Sequence, residues 1–196
     1  MDRSNGAKGS DIMKIVHILP TLTRGGGERV AVELANYASM AGHQVTIVVA
    51  FLVDPALLQD ELDPRVQVLC VSNSIGPRIG KYFGIFPWLW RNRLWLAKQD
   101  ILHCHLSYGA VLGMIVWLWR NLSRAMQPVT VETYHAVGMN IPRLYRWFHA
   151  QMLARRDGVA FMAEDEYWEN FILEHPKLHS EVIPNGIKIP SEESVS

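Results

Sequence analysis

Six short apolar runs alternate along the chain with longer stretches in which apolar residues recur every three or four positions. The runs are continuous and do not alternate with polar residues, which is typical of strands buried on both faces of a sheet. Helices between such strands favour parallel pairing. We therefore expect an α/β protein with a mainly parallel sheet and helices on both faces. The predicted strands are Ile15–Leu19, Val45–Ala50, Val66–Val71, Ile101–Cys104, Val129–Tyr134 and Val159–Met162.

The first two strands and the helix between them form the unit Lys14–Ala50, around which the rest of the chain is organised. The first strand is expected to end at Pro20, and the glycines at Gly25–Gly27 then lead into a helix. Gly42 is placed to end that helix, because glycine readily adopts the left-handed conformation after a last helical turn. The residues expected to face the core are Val30, Leu34 and Ala38, with Ala31 and Ala35 beside them.

The glycine loop at Gly25–Gly27 has a physical use beyond turning the chain. Without Cβ atoms the backbone can approach a ligand closely, and the free amides at a helix start favour an anion such as phosphate. A plain strand-to-helix connector is the alternative that spacing alone leaves open. A dinucleotide site, and with it a nicotinamide-dependent enzyme, is disfavoured. The loop is not G-x-G-x-x-G, and Val49-Ala50-Phe51 stands where a ribose-binding acid is expected.

The stretch Lys81–Lys98 interleaves tryptophans with cations in a basic region, since Pro64 to Val131 contains eight Lys or Arg residues and one acid. A helix is predicted to start near Pro87, a residue favoured in the first helical turn. The face expected to pack on the core carries Trp90, Leu94 and Ala97. The opposite face carries Trp88, Arg91, Trp95 and Lys98, a mixture found where a helix rests on an anionic membrane surface. In the alternative, these tryptophans pack under neighbouring loops.

Three histidines stand at or near the ends of predicted strands. His103 and His105 alternate onto one face of the fourth strand, a spacing that suits a metal pair, but the sequence offers no nearby third ligand and we expect no metal. His135 stands at the carboxyl end of the fifth strand, where open α/β sheets bind ligands. Capping of the following loop is the alternative role for His135. Glu132 points to the opposite face from Thr133 and is the weaker candidate.

Composition limits the class of protein. The 196 residues are 49% hydrophobic and carry a formal net charge of zero, which allows one sizeable core and gives no overall signal for nucleic acid binding. Two cysteines make no disulfide framework. The apolar run Gly109–Trp119 is too short for a membrane span and is expected to be a buried helix. We expect a cytoplasmic domain at 13–189, after a disordered lead at 1–12 and before a polar tail at 190–196.

Three short motifs in the first unit resemble a known family. Gly26-Gly27-Glu28-Arg29, with one extra glycine before it, Glu33-Leu34-Ala35 and Gly42-His43-Gln44-Val45-Thr46 are similar to the G-G-x-E-R, E-L-A and G-H-x-V-T segments in the N-terminal domain of family 4 glycosyltransferases. The resemblance runs from about Lys14 to about Ile189. It implies the N-terminal, acceptor-side half of a GT-B fold, a Rossmann-like doubly wound sheet. The enzymes it resembles are retaining, and their second such domain binds the nucleotide sugar.

The resemblance also implies roles for individual residues. Thr133-Tyr134-His135 resembles the T-x-H segment whose histidine lies near the transferred sugar, so His135 is the expected catalytic residue. Ala163 departs from the family pattern, which usually has serine there. Enzymes of this fold need no metal for catalysis. The residues expected to bind the donor diphosphate or substrate are Gly25, Gly26, Gly27 and Glu28, and those expected to line the cleft are His105, Thr133, Asn185 and Gly186.

The implied reaction transfers a sugar from a UDP- or GDP-sugar, without a cofactor, to a glycan or to a lipid-linked acceptor at the inner membrane face. The donor-binding residues of the family belong to a C-terminal domain, and only ten residues follow Gly186 in this chain. We therefore expect the chain to be inactive until such a domain is supplied by the same gene or by a separate subunit. A non-catalytic acceptor- or membrane-binding module with a glycosyltransferase-like fold is the alternative.

Overall fold

Seven strands form one sheet in the computed structural model, which describes residues 12–71, 85, 87–122, 128–135, 142–164 and 166–184. The strands are β1 Lys14–Leu22, β2 Gln44–Val53, β3 Gln67–Cys70, β4 Ile101–His105, β5 Val129–Tyr134, β6 Gly158–Phe161 and β7 His179–Val182. Their order is β3-β2-β1-β4-β5-β6-β7, and all six neighbouring pairs are parallel. The order reverses at β1, so the sheet is doubly wound with its switch point between β1 and β4.

Helices cover both faces of this sheet, as predicted. Alternate residues of β2 show the division: Ile47 packs with α1 and α2, whereas Val48 packs with α3 and α4. A third cluster holds α5 and α6 against Tyr134 and Phe161 on the face that α4 also covers. The helices are α1 Gly26–Met40, α2 Pro55–Asp60, α3 Arg93–Leu96, α4 Leu106–Leu122, α5 Arg143–Leu153 and α6 Glu166–Glu174, and residues 87–91 are also helical.

Two strand predictions need correction. The first strand does not end at Pro20: β1 continues to Leu22, with a register shift against β2 between Leu19 and Thr21. Proline has no amide hydrogen to donate, and an irregularity in the ladder is where a sheet tolerates it. The seventh strand, β7, was not predicted. It is four residues long and mostly exposed at the sheet edge, so it lacks the apolar run that revealed the other strands.

The helix after the glycine loop ends as expected, but only part of its predicted core face is buried. Gly42 has φ +92°, the left-handed conformation predicted for it. Of the residues predicted to face the core, Ala31 and Ala35 are buried, but Leu34 is exposed and Val30 and Ala38 are only half-buried. The buried residues of α1 are Ala31, Val32, Ala35 and Ser39. Small side chains let this helix lie close to the sheet, which rotates the bulkier Leu34 outward.

The two faces predicted for the tryptophan-rich stretch are exchanged in the structure. Trp90 and Leu94 are exposed by 58% and 67%, while Leu89 and Leu96 are the buried residues. Trp88 and Trp95 are half-buried against the core and contact each other edge to face at 6.3 Å. Arg91 and Lys98 are exposed, as a membrane contact would need, but the two tryptophans assigned to it are not on the outer surface.

The helical spacing itself continues through this stretch. Asn92 is a turn residue whose side chain donates to the backbone oxygen of Trp88, but the buried Leu89 and Leu96 are seven residues apart, as are the half-buried Trp88 and Trp95. The period was therefore predicted correctly and the face that packs on the core was not.

The apolar helix α4 is less buried than predicted. Gly113 and Val116 face the core, but Leu118 is 49% exposed. Among the described helices none is both long and apolar enough to cross a bilayer. The predicted lead and tail at 1–12 and 190–196 lie, apart from Ile12, outside the described residues, as do Asn185 and Gly186.

Candidate functional site

The switch point between β1 and β4 brings the glycine loop and the histidines to one edge of the sheet. β1 leads through residues 23–25 into α1, while β4 ends at His105 and β5 ends one residue before His135. In open parallel sheets the crevice outside the carboxyl ends of the strands at this point is where ligands bind. The site is therefore placed by strand order, although its residues come from three separate parts of the chain.

The three loop glycines have three different surroundings. A Cβ added at Gly25 would lie 2.5 Å from a carboxylate oxygen of Glu28, which folds back over the loop, whereas no atom of the described residues lies within 4 Å of one added at Gly26. At Gly27 an added Cβ would lie 2.5 Å from Leu106 and 3.5 Å from the His135 ring. The open approach to the helix N-terminus is thus at Gly26, and Gly27 is required for close packing.

Glu28 is held in place by two hydroxyl groups. Thr21 donates to Glu28 Oε1 at 2.7 Å and Thr23 donates to the same oxygen at 3.3 Å. The carboxylate lies in the first turn of α1, where an acid suits the helix dipole. An anion approaching the amino end of α1 therefore meets a negative charge on the Gly25 side, and the space that remains for it is at Gly26.

Leu106, the residue directly after β4, packs against the glycine loop. It is the only non-glycine residue with positive φ among the described residues, at φ 62°. This conformation costs an L-residue about 1–2 kcal/mol, so packing must hold it there. Its side chain occupies the space that a Cβ on Gly27 would need. Strain of this kind is common where a backbone positions a functional site.

A cluster of histidines lies behind the loop. His17 of β1 pairs in register with His103 of β4, and Nδ1 of His17 lies 3.0 Å from Nε2 of His105. The ring centroids of His103 and His105 lie 4.1 Å apart, with the ring planes tilted by 31°, and Nε2 of His103 lies 2.7 Å from the Thr133 hydroxyl. Sequence reasoning missed His17. Its signal was a polar residue within the otherwise apolar run Ile15–Leu19.

Burial keeps these imidazoles neutral. It lowers the pKa of His17 to about 4, and it lowers the pKa values of His103 and His105 well below the usual range, with the neighbouring histidines adding to the effect. Within the described part of the chain, Nε2 of His17 and Nδ1 of His105 have no hydrogen-bond partner. Neutral imidazoles with one donor and one acceptor each are suited to a hydrogen-bonded support.

The histidine cluster bears on the question of a metal. Nitrogens of His17, His103 and His105 all lie within 4.8 Å of one another, so the argument that no third ligand is near is wrong. In this structure those rings are engaged by the His17–His105 and His103–Thr133 contacts instead. That the protein uses no metal stays a prediction.

His135 is the member of the group that is half-exposed at the crevice. Its ring centroid is 5.9 Å from that of His105, and its Nε2 has no hydrogen-bond partner among the described residues. Burial lowers the pKa of His135, while the charges of Glu28 and Glu132 oppose that shift. A neutral ring with a free nitrogen can donate to or accept from a substrate hydroxyl.

His105 and Thr133 do not line the crevice as expected. Both side chains are buried, with exposures of 0% and 2%. The Thr133 hydroxyl is turned to His103, and the His105 ring lies between His17 and His135. They therefore support the crevice from beneath.

Glu132 belongs to a separate network on the other face of the sheet, as its alternation with Thr133 predicted. Its two oxygens lie 2.7 Å from His149 Nε2 and 3.0 Å from Arg156 Nε, and all three side chains are buried. Arg156 also packs on Gly113 of α4. This network fastens α4 and α5 to the sheet and leaves no group for chemistry at the crevice.

Cys104 and Cys70 are free thiols, and burial raises the pKa of Cys104 to about 12.

Comparison with known proteins gives both a family and a fold. Residues 24–189 match the family model described as Glycosyltransferase Family 4. No curated protein sequence matches significantly. Among solved structures, the Anabaena protein HepE in complex with UDP and glucose has a TM-score of 0.63 at 15% identity, over 89% of this chain and 45% of that one.

Two further structures share the fold. Sucrose-phosphate synthase from Thermosynechococcus elongatus has a TM-score of 0.59 at 14% identity, over 89% of this chain and 48% of that one. UGT2 of Phytolacca americana, complexed with UDP-2fluoro-glucose and pterostilbene, has a TM-score of 0.56 at 15% identity, over 91% and 54%. The chain spans about half the length of each of these proteins.

Proposed function

Because the chain belongs to glycosyltransferase family 4, we propose that it is the acceptor-binding half of a retaining glycosyltransferase. It transfers a sugar from a UDP- or GDP-sugar to a glycan or lipid-linked acceptor when a donor-binding domain completes the site. The observation that carries this proposal is the open helix N-terminus at Gly26 beside the half-exposed His135, at the switch point of the sheet. The binding of UDP and glucose in a complex of similar fold is consistent with it.

The parts of the crevice suggest separate roles. The amides at Gly26 and Gly27 and the dipole of α1 stabilise the negative charge that develops on the departing diphosphate, the kind of interaction that contributes most to such catalysis. His135, with its free Nε2, holds a hydroxyl of the transferred sugar or of the acceptor. Glu28, fixed by Thr21 and Thr23, accepts from a second hydroxyl.

A second domain is part of the proposal. The carboxyl ends of the strands supply one wall of a crevice, and Arg24, directly before the glycine loop, is already paired with Asp60 and Glu61. We propose that the remaining positive charge is contributed by a domain facing this edge, encoded in the same gene or in a separate subunit. The chain by itself then binds acceptor but does not turn over.

The test is transfer from radiolabelled UDP- and GDP-sugars to membrane lipid extract. It compares this chain alone with the chain mixed with a lysate of its source cells that lack this protein. Turnover restored only with the lysate, and lost when His135→Ala is used, supports a half enzyme. Turnover by the chain alone would contradict the need for a second domain. Turnover that is indifferent to His135→Ala would remove the role given to that residue.

A non-catalytic acceptor-binding module is the second candidate. Ala163, exposed two residues after the end of β6, stands where the family pattern usually has serine, so a hydroxyl that would cap the helix or face the crevice is missing. Retained binding of the lipid acceptor, with no turnover in either arm of the transfer assay, would favour this module. Turnover raised by Ala163→Ser would favour the enzyme.

A further inference from the structure

The helices on the α4 face of the sheet expose large apolar side chains together with cations. We call this set the basic apolar surface. Its exposed apolar residues are Trp90, Leu94, Leu118, Leu144, Trp147 and Phe148, and its cations are Arg91, Arg93, Lys98, Arg143, Arg146 and Arg155. Arg93 lies over the Trp90 ring at 4.6 Å and Arg155 over the Trp117 ring at 5.6 Å. Aromatic and cationic groups thus alternate across one side of the molecule.

No acidic residue lies among those that form the basic apolar surface. From Pro64 to Arg156 the chain has two acids, Asp100 and Glu132. Glu132 is buried in its contacts with His149 and Arg156, and Asp100 accepts from the backbone amide of Lys14 at the amino edge of the sheet. Acidic residues occur again in α6, which forms the border of the basic apolar surface. The charge of the basic apolar surface is therefore uniformly positive.

A groove runs through this surface between α4 and α5. It encloses about 380 Å³, and its walls are Met114, Trp117, Leu118, Trp147, Phe148, Gln151 and Arg155. Trp119 continues the apolar contact toward Trp90, with ring centroids 5.9 Å apart. The groove and the segment 87–98 thus form one continuous apolar area rimmed by cations.

From this arrangement we propose that the basic apolar surface docks on an anionic lipid bilayer. A partner that complements it must offer negative charge and hydrocarbon in close alternation, as phosphate head groups above acyl chains do. Tryptophan suits that boundary, because its ring is apolar and its N–H is polar. Arginine places its stem along apolar groups and its charge at the head groups. The groove between α4 and α5, with its volume of about 380 Å³ and its mainly apolar walls, offers space for part of an acyl chain.

Bilayer docking does not depend on sugar transfer. The surface lies on a helical face, whereas the crevice lies at the carboxyl edge of the strands, so the two can be tested separately. Only the benefit to catalysis, which is bringing the crevice to a lipid-linked acceptor, rests on the proposed function. A chain that binds lipid and shows no transfer would keep this inference and count against the enzyme.

The first experiment measures co-sedimentation of the chain with vesicles of phosphatidylcholine and with vesicles containing phosphatidylglycerol. We expect binding to the anionic vesicles that weakens with salt, accompanied by a blue shift of tryptophan emission. Replacing Arg91 or Arg143 by Gln should lower the affinity roughly five-fold for each cation. The pair Trp147→Ser and Phe148→Ser should lower it by about ten-fold or more, since both rings leave the hydrocarbon.

A matched control lies on the opposite side of the sheet. Tyr37 and Met40 of α1 are exposed by 77% and 71%, but the acidic Glu33 lies on the same helix. Tyr37→Ser with Met40→Ser should leave vesicle binding unchanged. The inference is overturned by absence of binding to anionic vesicles, or by an equal loss in this control. A second copy of the chain bound at this surface would also overturn it. That outcome would be self-association in sedimentation, abolished by Trp147→Ser with Phe148→Ser, together with no binding to vesicles.

Discussion

Mild acid should destabilise this protein through its buried histidine cluster. The pKa values of His17, His103 and His105 are lowered in the folded state by burial, to about 4 for His17. The unfolded state, with an ordinary histidine pKa of about 6.5, therefore binds more protons below that pH. Stability is complete above about pH 6.5 and is lost as the pH falls toward the folded-state values, because protonation favours the unfolded chain.

The magnitude follows from proton linkage. Each histidine that is neutral when folded and titrates normally when unfolded costs about 1.4 kcal/mol at about pH 5.5. His17 alone contributes that amount, and the three together contribute about 4 kcal/mol if all remain neutral in the folded state. This is a large part of the roughly 5–15 kcal/mol that usually separates folded and unfolded states.

The assay is urea denaturation followed by circular dichroism at a series of pH values from about 7.5 to about 5.5, a range in which ordinary carboxyl groups titrate little. The variant His17→Asn should reduce the pH slope by about a third, because one of three titrating groups is gone. An unchanged denaturant m-value would show that the extent of unfolding is the same throughout. A free energy of unfolding that changes by less than about 1 kcal/mol over this range would refute the reasoning, because even His17 alone predicts more.

Three further predictions concern the loop, the buried ion pair and the metal. Gly27→Ala should lower the free energy of unfolding by about 1–3 kcal/mol and weaken nucleotide-sugar binding, because its Cβ would lie 2.5 Å from Leu106. Gly26→Ala should not destabilise the protein, because no atom of the described residues lies within 4 Å of the added Cβ. Thermal melts in which both variants behave alike would contradict this prediction. Arg156→Met should cost about 3–5 kcal/mol in urea unfolding, since it leaves Glu132 charged and buried, and a loss below about 1 kcal/mol would show that the pair is not needed. Chelator treatment should leave the melting temperature unchanged, and one equivalent of zinc found by elemental analysis would show that the histidine cluster holds a metal after all.

Local patterns accounted for much of the fold. Continuous apolar runs marked six of the seven strands, because strands buried on both faces need apolar residues. Gly42 marked the end of α1, because the left-handed backbone after a helix favours glycine. The family motifs in the first unit agree with the match over residues 24–189. The edge strand β7 has no such pattern, because only part of an edge strand is buried.

The faces of helices were harder to predict. The periodicity of 87–98 is helical, but the face predicted to pack on the core was the wrong one, and in α1 the predicted Ala31 and Ala35 are buried whereas the bulkier Leu34 is not. In both helices the choice depends on what the neighbouring element offers. The residues that the basic apolar surface exposes therefore became visible only in the folded chain.

The sequence by itself determined the class of fold, the glycine loop and the position of His135 after a strand. These depend on residues close together in the chain. Only the tertiary structure decided that His17 joins His103 and His105, because the parallel pairing of β1 with β4 brings together residues about 90 positions apart. It also decided that His105 and Thr133 lie beneath the crevice while His135 reaches it. Strand order and burial are properties of the whole sheet, and no local pattern carries them.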